Sequence, residues 1–315
     1  MTNIIKILDS SNRISGSEIG NMLGISKVAV YKQIKNLKQI GYNIKSCTKG
    51  YKLIKGKKLF NEFEIEFNLN KSLDVCKIIK YYKKLPSTQI TVKALAQKNF
   101  NEGTVVIAEK QTSGYGRIKR VWNSNPGGLW FSILLKPFLH PEESSKLALV
   151  LSIALKHTFD LYTIDSKIKW PNDIFINNKK IAGIIIEMSA EQNIINWAVA
   201  GVGININNKL PKEIQETSVS LKEIVNKEID RTEFICEFFI NFEKLYNSFQ
   251  KEGFKQFLRE YNDNLLYKNK RVLIDTGYNV IDGINLGVDE NGMLIINTEN
   301  KLKKISSGTL REYKK

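Results

Sequence analysis

Between two apolar stretches lies Gln111-Thr-Ser-Gly114-Tyr115-Gly116-Arg117-Ile-Lys119-Arg120-Val-Trp122, a run that mixes glycines, cations and an indole. Glycine lets backbone amides approach an anion closely, Arg adds a planar fork of donors, and Trp122 offers a flat surface for a ring. Such a loop suits a phosphorylated ligand. It lacks the Gly-Lys-Ser/Thr ending and following helix of a P-loop, and a flexible basic surface loop stays open as the alternative. A second block, Lys169-Trp170-Pro171-Asn172-Asp173, gathers a cation, an amide and a carboxylate before an apolar strand, with Pro171 forcing an extended entry. Taken alone it reads as a turn capped by Asn172 or Asp173. The third block, Gly201-Val-Gly203-Ile-Asn205-Ile-Asn207, ends a strand, but no glycine-led helix follows, so a Rossmann fingerprint is rejected.

Other chemistries lack their residues. His140 and His157 lie away from these blocks, and Cys47, Cys76 and Cys236 are scattered. That excludes Cys/His and Ser/His nucleophilic machinery, a zinc spacing and a disulfide framework. Metal ligands are not identifiable from the sequence.

The elements that must position these blocks show in the hydrophobic pattern. Strands are predicted over 104–109, 129–135, 180–187 and 197–203, with Asn177-Asn178 as a hairpin turn. Helices are predicted over 142–160, on Leu147, Val150, Leu151, Ala154 and Leu155, and over 233–250. From Lys270 the pattern changes to short strand-like runs at 272–274, 280–281, 286–288 and 293–296. Turn signals at Asp275-Thr276-Gly277 and Glu290-Asn291-Gly292 separate them, which suggests a small β-barrel or sandwich.

The N-terminal segment reads differently. Ser15-Gly-Ser-Glu18 has the form of a capping box, Ile19, Met22 and Leu23 follow at helical spacing, and Gly24-Ile25-Ser26 makes a break. Ser26 then caps a second helix with Val30, Ile34 and Leu37 inward and Lys27, Tyr31, Lys32, Lys35 and Lys38 outward. Gly41 ends it, and Tyr42, Ile44, Tyr51 and Leu53 alternate around Thr48-Lys49-Gly50 as a two-stranded wing. This is a helix-turn-helix pattern with a basic face. A solvated basic hairpin is the alternative.

Charge distribution favours DNA. The 315 residues carry +16 overall, and residues 1–60 hold 12 Lys/Arg against 2 Asp/Glu, a net of +10. Residues 61–267 and 268–315 each hold only +3. Genome bias alone would spread the excess evenly, whereas phosphate neutralisation requires a patch. No run is long and apolar enough to span a bilayer and no signal peptide opens the chain, so a cytoplasmic location and no membrane partner are expected.

Together the blocks resemble the biotin protein ligases, particularly the bifunctional bacterial type that doubles as biotin-operon repressor. The family's Gly-Arg-Gly-Arg-Arg-Gly-Arg-x-Trp loop corresponds to residues 114–122, and its Lys-Trp-Pro-Asn-Asp block to 169–173. Its Lys-x-Ala-Gly-Ile-Leu strand corresponds to 180–185, and its Gly-Ile-Gly-Ile-Asn segment to 201–205. Ser87-Thr88 sits before a helical segment at the expected place. This chain departs from the pattern at Tyr115, at Lys119, where the family has Gly, and at Gln89, where Asn is common. A Gly position can require positive φ, which makes Lys119 the awkward one.

The resemblance implies an α/β (α+β) protein in three parts. These are a winged helix-turn-helix over 1–62, a mixed-sheet class II synthetase-like catalytic domain over 63–267, and a small SH3-like β-barrel over 268–315. It implies that ATP and biotin are joined as biotinyl-AMP, with Mg²⁺ expected. Biotin then passes to a lysine of the biotin carboxyl carrier protein of acetyl-CoA carboxylase. Lys169 and Arg117 are implied as catalytic, and Ser87, Thr88, Gln89, Gln111, Tyr115, Gly116, Arg117 and Lys169 as contacts to biotin or its adenylate. Gly114, Arg120, Trp122, Asn172 and Asn205 would serve loop closure and nucleotide, and Lys27, Tyr31, Lys32 and Lys35 DNA. Operator DNA and a ligand-promoted homodimer follow from the same resemblance. A ligand-sensing transcription factor without catalysis and a lipoate- or octanoate-attaching enzyme of the same fold are the rival readings.

Overall fold

The computed structural model describes residues 1–54, 56, 58–69, 73–299 and 301–313. Contacts divide the chain into two compact units, Met1–Ser72 and Leu73–Lys315.

In the first unit, α1 (Thr2–Ser10) precedes α2 (Gly16–Leu23) and α3 (Lys27–Ile40). The capping box is present: Ser15 Oγ accepts the Glu18 N–H and the Glu18 carboxylate accepts the Ser15 N–H, at 3.2 and 2.8 Å. Ser26 caps α3 by accepting the Ala29 N–H, and Gly41 ends α3 in the left-handed region. The wing pairs β1 (Ile44–Cys47) with β2 (Gly50–Leu53), antiparallel. Ile4, Ile5, Leu8, Ile19, Val30, Ile34 and Leu37 form the core, and α4 (Glu62–Asn68) lays Phe63 and Phe67 against it. Lys27, Tyr31, Lys32 and Lys35 are exposed along α3. Residues 55–62 read in sequence as a basic, glycine-containing connector, and of these residues 55 and 57 lie outside the described residues.

The second unit is built on a mixed sheet. Its strands in chain order are β3 (Ile78–Tyr82), β4 (Thr104–Ala108) and β5 (Leu129–Leu135), then β6 (Lys167–Lys169), β7 (Asp173–Ile176), β8 (Lys179–Glu191) and β9 (Ile194–Ile204). Among the described residues they lie in the order β3-β4-β5-β9-β8-β7-β6, with only β3 and β4 parallel. Every residue of β5 is buried because both faces are covered, which is why it reads as an unbroken apolar run. On one face, α5 (Thr88–Gln97) packs Val92 and Ala96 on Val106, Leu134 and Val199. On the other face sits α8 (Arg231–Glu252), whose Phe238 and Phe239 meet Phe131 of β5 edge to face at 5.4 and 5.7 Å. Helix α6 (Ser144–Leu161) precedes α8 in the chain and packs against it through Phe159 on Phe234; the short α7 (Leu221–Val225) lies between them in sequence.

After α9 (Leu258–Asp263), the described residues form five antiparallel strands in the order β13-β12-β11-β10-β14. They are β10 (Arg271–Asp275), β11 (Val280–Val288), β12 (Leu294–Asn297), β13 (Leu302–Ile305) and β14 (Thr309–Glu312). The two runs expected at 280–281 and 286–288 are one strand, bent by a bulge between Asn285 and Gly287.

Candidate active site

One end of the mixed sheet opens into a cavity of about 280 Å³. Ser87, Thr88, Gln89, Gln111, Tyr115, Gly116, Arg117, Arg120, Trp122, Lys169, Asn172 and Asn205 all line it, although 118 residues separate the first from the last in sequence. Gly114 does not line it. It is buried beneath the loop, where a Cβ would come within 2.6 Å of Ser124 Oγ and 2.8 Å of the Trp122 carbonyl. Its place is close packing at the loop's root.

The inner end of the cavity is a connected polar network. The Thr88 N–H donates to Gln111 Oε1 at 2.8 Å, and the Thr88 and Ser132 hydroxyls meet at 2.9 Å. Ser132 donates to Gln89 Oε1, Gln89 donates to the Val199 carbonyl, and Gln111 Nε2 donates to Ser124 Oγ. Ser87 opens α5 without using its side chain as a cap. Apolar walls from Phe131, Ile184 and Val202 surround these groups. Sequence alone does not mark Ser132, because a serine inside an apolar strand carries no local signal.

The outer end is cationic. Residues 114–122 form a flap closed on itself by Gly116 N–H to the Arg120 carbonyl at 2.8 Å and Trp122 N–H to the Gly114 carbonyl at 2.9 Å. At its tip Ile118 and Lys119 take φ of 54° and 52°, so the position where a glycine is usual does adopt the left-handed region. Arg117 donates to Asn172 Oδ1 at 3.1 Å and to Ser307 Oγ at 2.8 Å, and Arg120 to Thr309 Oγ1 at 3.4 Å. Ser307 and Thr309 come from the C-terminal strands, and Trp170 reaches the same strands' turn by donating to the Gly292 carbonyl. Nothing in the sequence points to these C-terminal partners, because only tertiary docking brings them here.

Trp122 lies flat on the strand that carries Gly203: a Cβ there would fall 2.5 Å from Trp122 Nε1. The Lys180 ammonium stands 5.0 Å from the ring centroid and 2.7 Å from Asp173 Oδ1. Trp122 Nε1 is buried and has no hydrogen-bond partner among the described residues. Burial pushes the Lys169 pKa down, Asp173 pulls it back up, and Lys180 and Arg311 press it down further. Burial likewise lowers that of Arg117, opposed by Asp173. At both cations the cost of burial outweighs the compensation that Asp173 gives. Asn205 Oδ1 already accepts from Asn208 Nδ2 at 3.0 Å.

Comparison with known proteins agrees with this geometry. Residues 81–205 match the biotin/lipoate A/B protein ligase family, and residues 1–52 match an HTH domain. The bifunctional ligase/repressor BirA of Bacillus subtilis is 36% identical over 303 residues, covering 94% of this chain and 93% of that protein. The protein of the same name from Escherichia coli is 26% identical over 98% and 95%. A structure described as biotin protein ligase from Aquifex aeolicus in complex with biotin and ATP aligns at TM-score 0.68 and 32% identity. That alignment covers 75% of this chain and all of the other.

Proposed function

This chain belongs to the biotin/lipoate A/B protein ligase family in its bifunctional ligase/repressor form, and from that premise we propose how its own residues divide the work. It is an ATP-dependent biotin–protein ligase joined to a DNA-binding repressor module. The observation that carries the assignment of roles is the two-ended cavity: a donor–acceptor network in an apolar sleeve, and a cluster of cations at its mouth. The ureido ring of biotin presents both donors and acceptors to Ser87, Thr88, Gln89 and Gln111. A dithiolane ring or a plain acyl chain offers that network nothing, which favours biotin over lipoate or octanoate.

In the first step the biotin carboxylate attacks the α-phosphate of ATP and pyrophosphate leaves. Two anions must meet, so positioning and charge stabilisation dominate and no protein nucleophile is needed. Lys169 neutralises the developing charge, Arg117 holds the adenylate, and Arg120 and Trp122 close over the nucleotide. In the second step the amine of a carrier lysine attacks the acyl carbon and AMP leaves. Mg²⁺ would enter with ATP, as part of the substrate. Among the described residues no three His, Cys, Asp or Glu side chains gather, and Asp173 is bridged to Lys180.

Biotin-dependent exchange of pyrophosphate into ATP, followed by transfer to an apo-carrier domain, tests this reading. A chain that binds biotin and exchanges nothing would be a sensor without catalysis. Gly203→Ala is expected to unseat Trp122 and raise KM for ATP about tenfold, with a smaller effect on biotin. Exchange kinetics measure this, and an ATP KM within twofold of wild type would remove the indole from nucleotide binding.

The N-terminal unit binds operator DNA, with a ligand-promoted homodimer placing two copies on paired half-sites in the cytoplasm. No helix among the described residues is long and apolar enough to cross a membrane. Replacing both Lys32 and Lys35, exposed on α3, by alanine is expected to lower the slope of log affinity against log salt by about 2. Fluorescence anisotropy across a salt series reads this, and an unchanged slope takes both lysines off the phosphates.

A further inference from the structure

The flap is held at its two ends by different means. At the nucleotide end its anchors are Arg117 and Arg120, the groups that must turn to phosphate when ligand arrives. At its root the anchor is Tyr115, which bridges backbone to backbone with Val121 and sends its side chain out of the loop. The Tyr115 hydroxyl donates to Glu187 Oε2 at 2.8 Å, while the Lys93 ammonium donates to Glu187 Oε1 at 2.9 Å and stands 5.9 Å from the Tyr115 ring centroid. One carboxylate thereby joins three elements that each line the cavity. Glu187 lies on β8, Lys93 on α5 about a turn and a half after Thr88, and Tyr115 on the flap. Glu187 also pairs in register with Val199, whose carbonyl receives Gln89.

The electrostatics match this arrangement. Burial would push the Glu187 carboxyl up, but hydrogen bonds from Lys93, Tyr115 and Gln89 more than offset it, so its pKa lies below the usual carboxylate range. The charge-assisted bond to Tyr115 consequently persists at neutral pH. Where the family has a first loop arginine, this chain has a phenol, and the phenol uses a fixed acceptor on the sheet.

We propose that Glu187, braced by Lys93, is a positioning residue that anchors the flap root through the Tyr115 hydroxyl and so sets how long biotinyl-AMP is retained. The proposal rests on the ligase reading above. It assigns no contact between Glu187 and ligand.

The test uses the full-length protein as wild type, Glu187→Gln, Tyr115→Phe and the double variant, each loaded with biotin and ATP. Escape of biotinyl-AMP is followed in the absence of carrier. Each single substitution is expected to speed escape about tenfold, and the double variant to match the faster single rather than their product. Hydrogen exchange on the loaded enzyme supplies a second readout: amides 114–122 of Glu187→Gln exchange faster while those of the β8–β9 hairpin do not change. Wild-type escape rates in exchange-competent variants, multiplicative effects in the double, or loosening of the hairpin together with the flap would each overturn the latch alone. A wild-type chain without biotin-dependent pyrophosphate exchange would overturn the ligase reading and the latch with it.

Discussion

Lys169→Ala is expected to slow adenylate formation about a thousandfold or more, which corresponds to about 4 kcal/mol of lost transition-state stabilisation. The reasoning is electrostatic. Carboxylate and α-phosphate repel as they approach, and Lys169 is a cation held at the cavity by β6 with its ammonium over the Phe175 ring, 4.7 Å from the centroid. Arg117 and Arg120 reach the adenylate phosphate only by giving up Asn172, Ser307 and Thr309, so Lys169 is the cation that meets the two anions first. Biotin binding is expected to weaken far less than turnover, because the network proposed to receive the ureido ring is built from Thr88, Gln89, Gln111 and Ser132 without Lys169. The pH dependence carries a sign. Burial depresses the Lys169 pKa, the protonated form does the work, and activity should fall as pH rises through that lowered pKa. The alkaline limb of the exchange rate therefore begins below the ordinary lysine range and is absent in Lys169→Ala. Turnover within tenfold of wild type would remove Lys169 from the catalytic role.

The second large effect is on fidelity. Arg117→Gly is expected to release biotinyl-AMP about a hundredfold faster, the equivalent of two or so charge-assisted hydrogen bonds. A mixed anhydride freed into solution reacts with any exposed amine, so biotin should appear on bulk protein lysines as well as on the carrier. The guanidinium already makes two hydrogen bonds, to Asn172 and Ser307, and burial opposes its charge, so an adenylate phosphate gives it a better partner than either. Streptavidin blots of a mixed-protein reaction measure the effect. Labelling confined to the carrier would show that another group retains the intermediate. Adenylate formation should suffer less than retention, which separates Arg117 from Lys169.

Much of this architecture is legible in the residues because local chemistry and tertiary role coincide. Ser15 and Glu18 announce the start of α2 whatever surrounds them, and the alternation of Tyr42, Ile44, Tyr51 and Leu53 is a wing because one face is buried. The two binding blocks at 114–122 and 169–173 are also readable, since glycine, cation and proline at those spacings are uncommon. What stays hidden is contact between distant segments. Glu187 looks like an ordinary polar position on a strand, and nothing near it points to Tyr115, 72 residues earlier, or Lys93, 94 residues earlier. Ser307 and Thr309 are two hydroxyls in a basic tail until the fold carries them to Arg117 and Arg120.

Element ends fail for a different reason. Glycine at 283 and 287 breaks the apolar run of β11 in sequence, yet the strand continues through the bulge. Strand β13, Leu302-Lys-Lys-Ile305, alternates too briefly and with too much charge to stand out. Helix α1 has no side-chain cap, and its burial of Ile4, Ile5 and Leu8 is decided by the neighbours it meets.

The backbone at Ile118 and Lys119 has a kinetic implication. A β-branched and a long side chain both sit in a conformation that costs of order 1–3 kcal/mol each outside glycine. The bent tip is thus held by the loop's own two struts, Gly116 N–H to the Arg120 carbonyl and Trp122 N–H to the Gly114 carbonyl, and a break in either lets it spring open faster than an unstrained loop would.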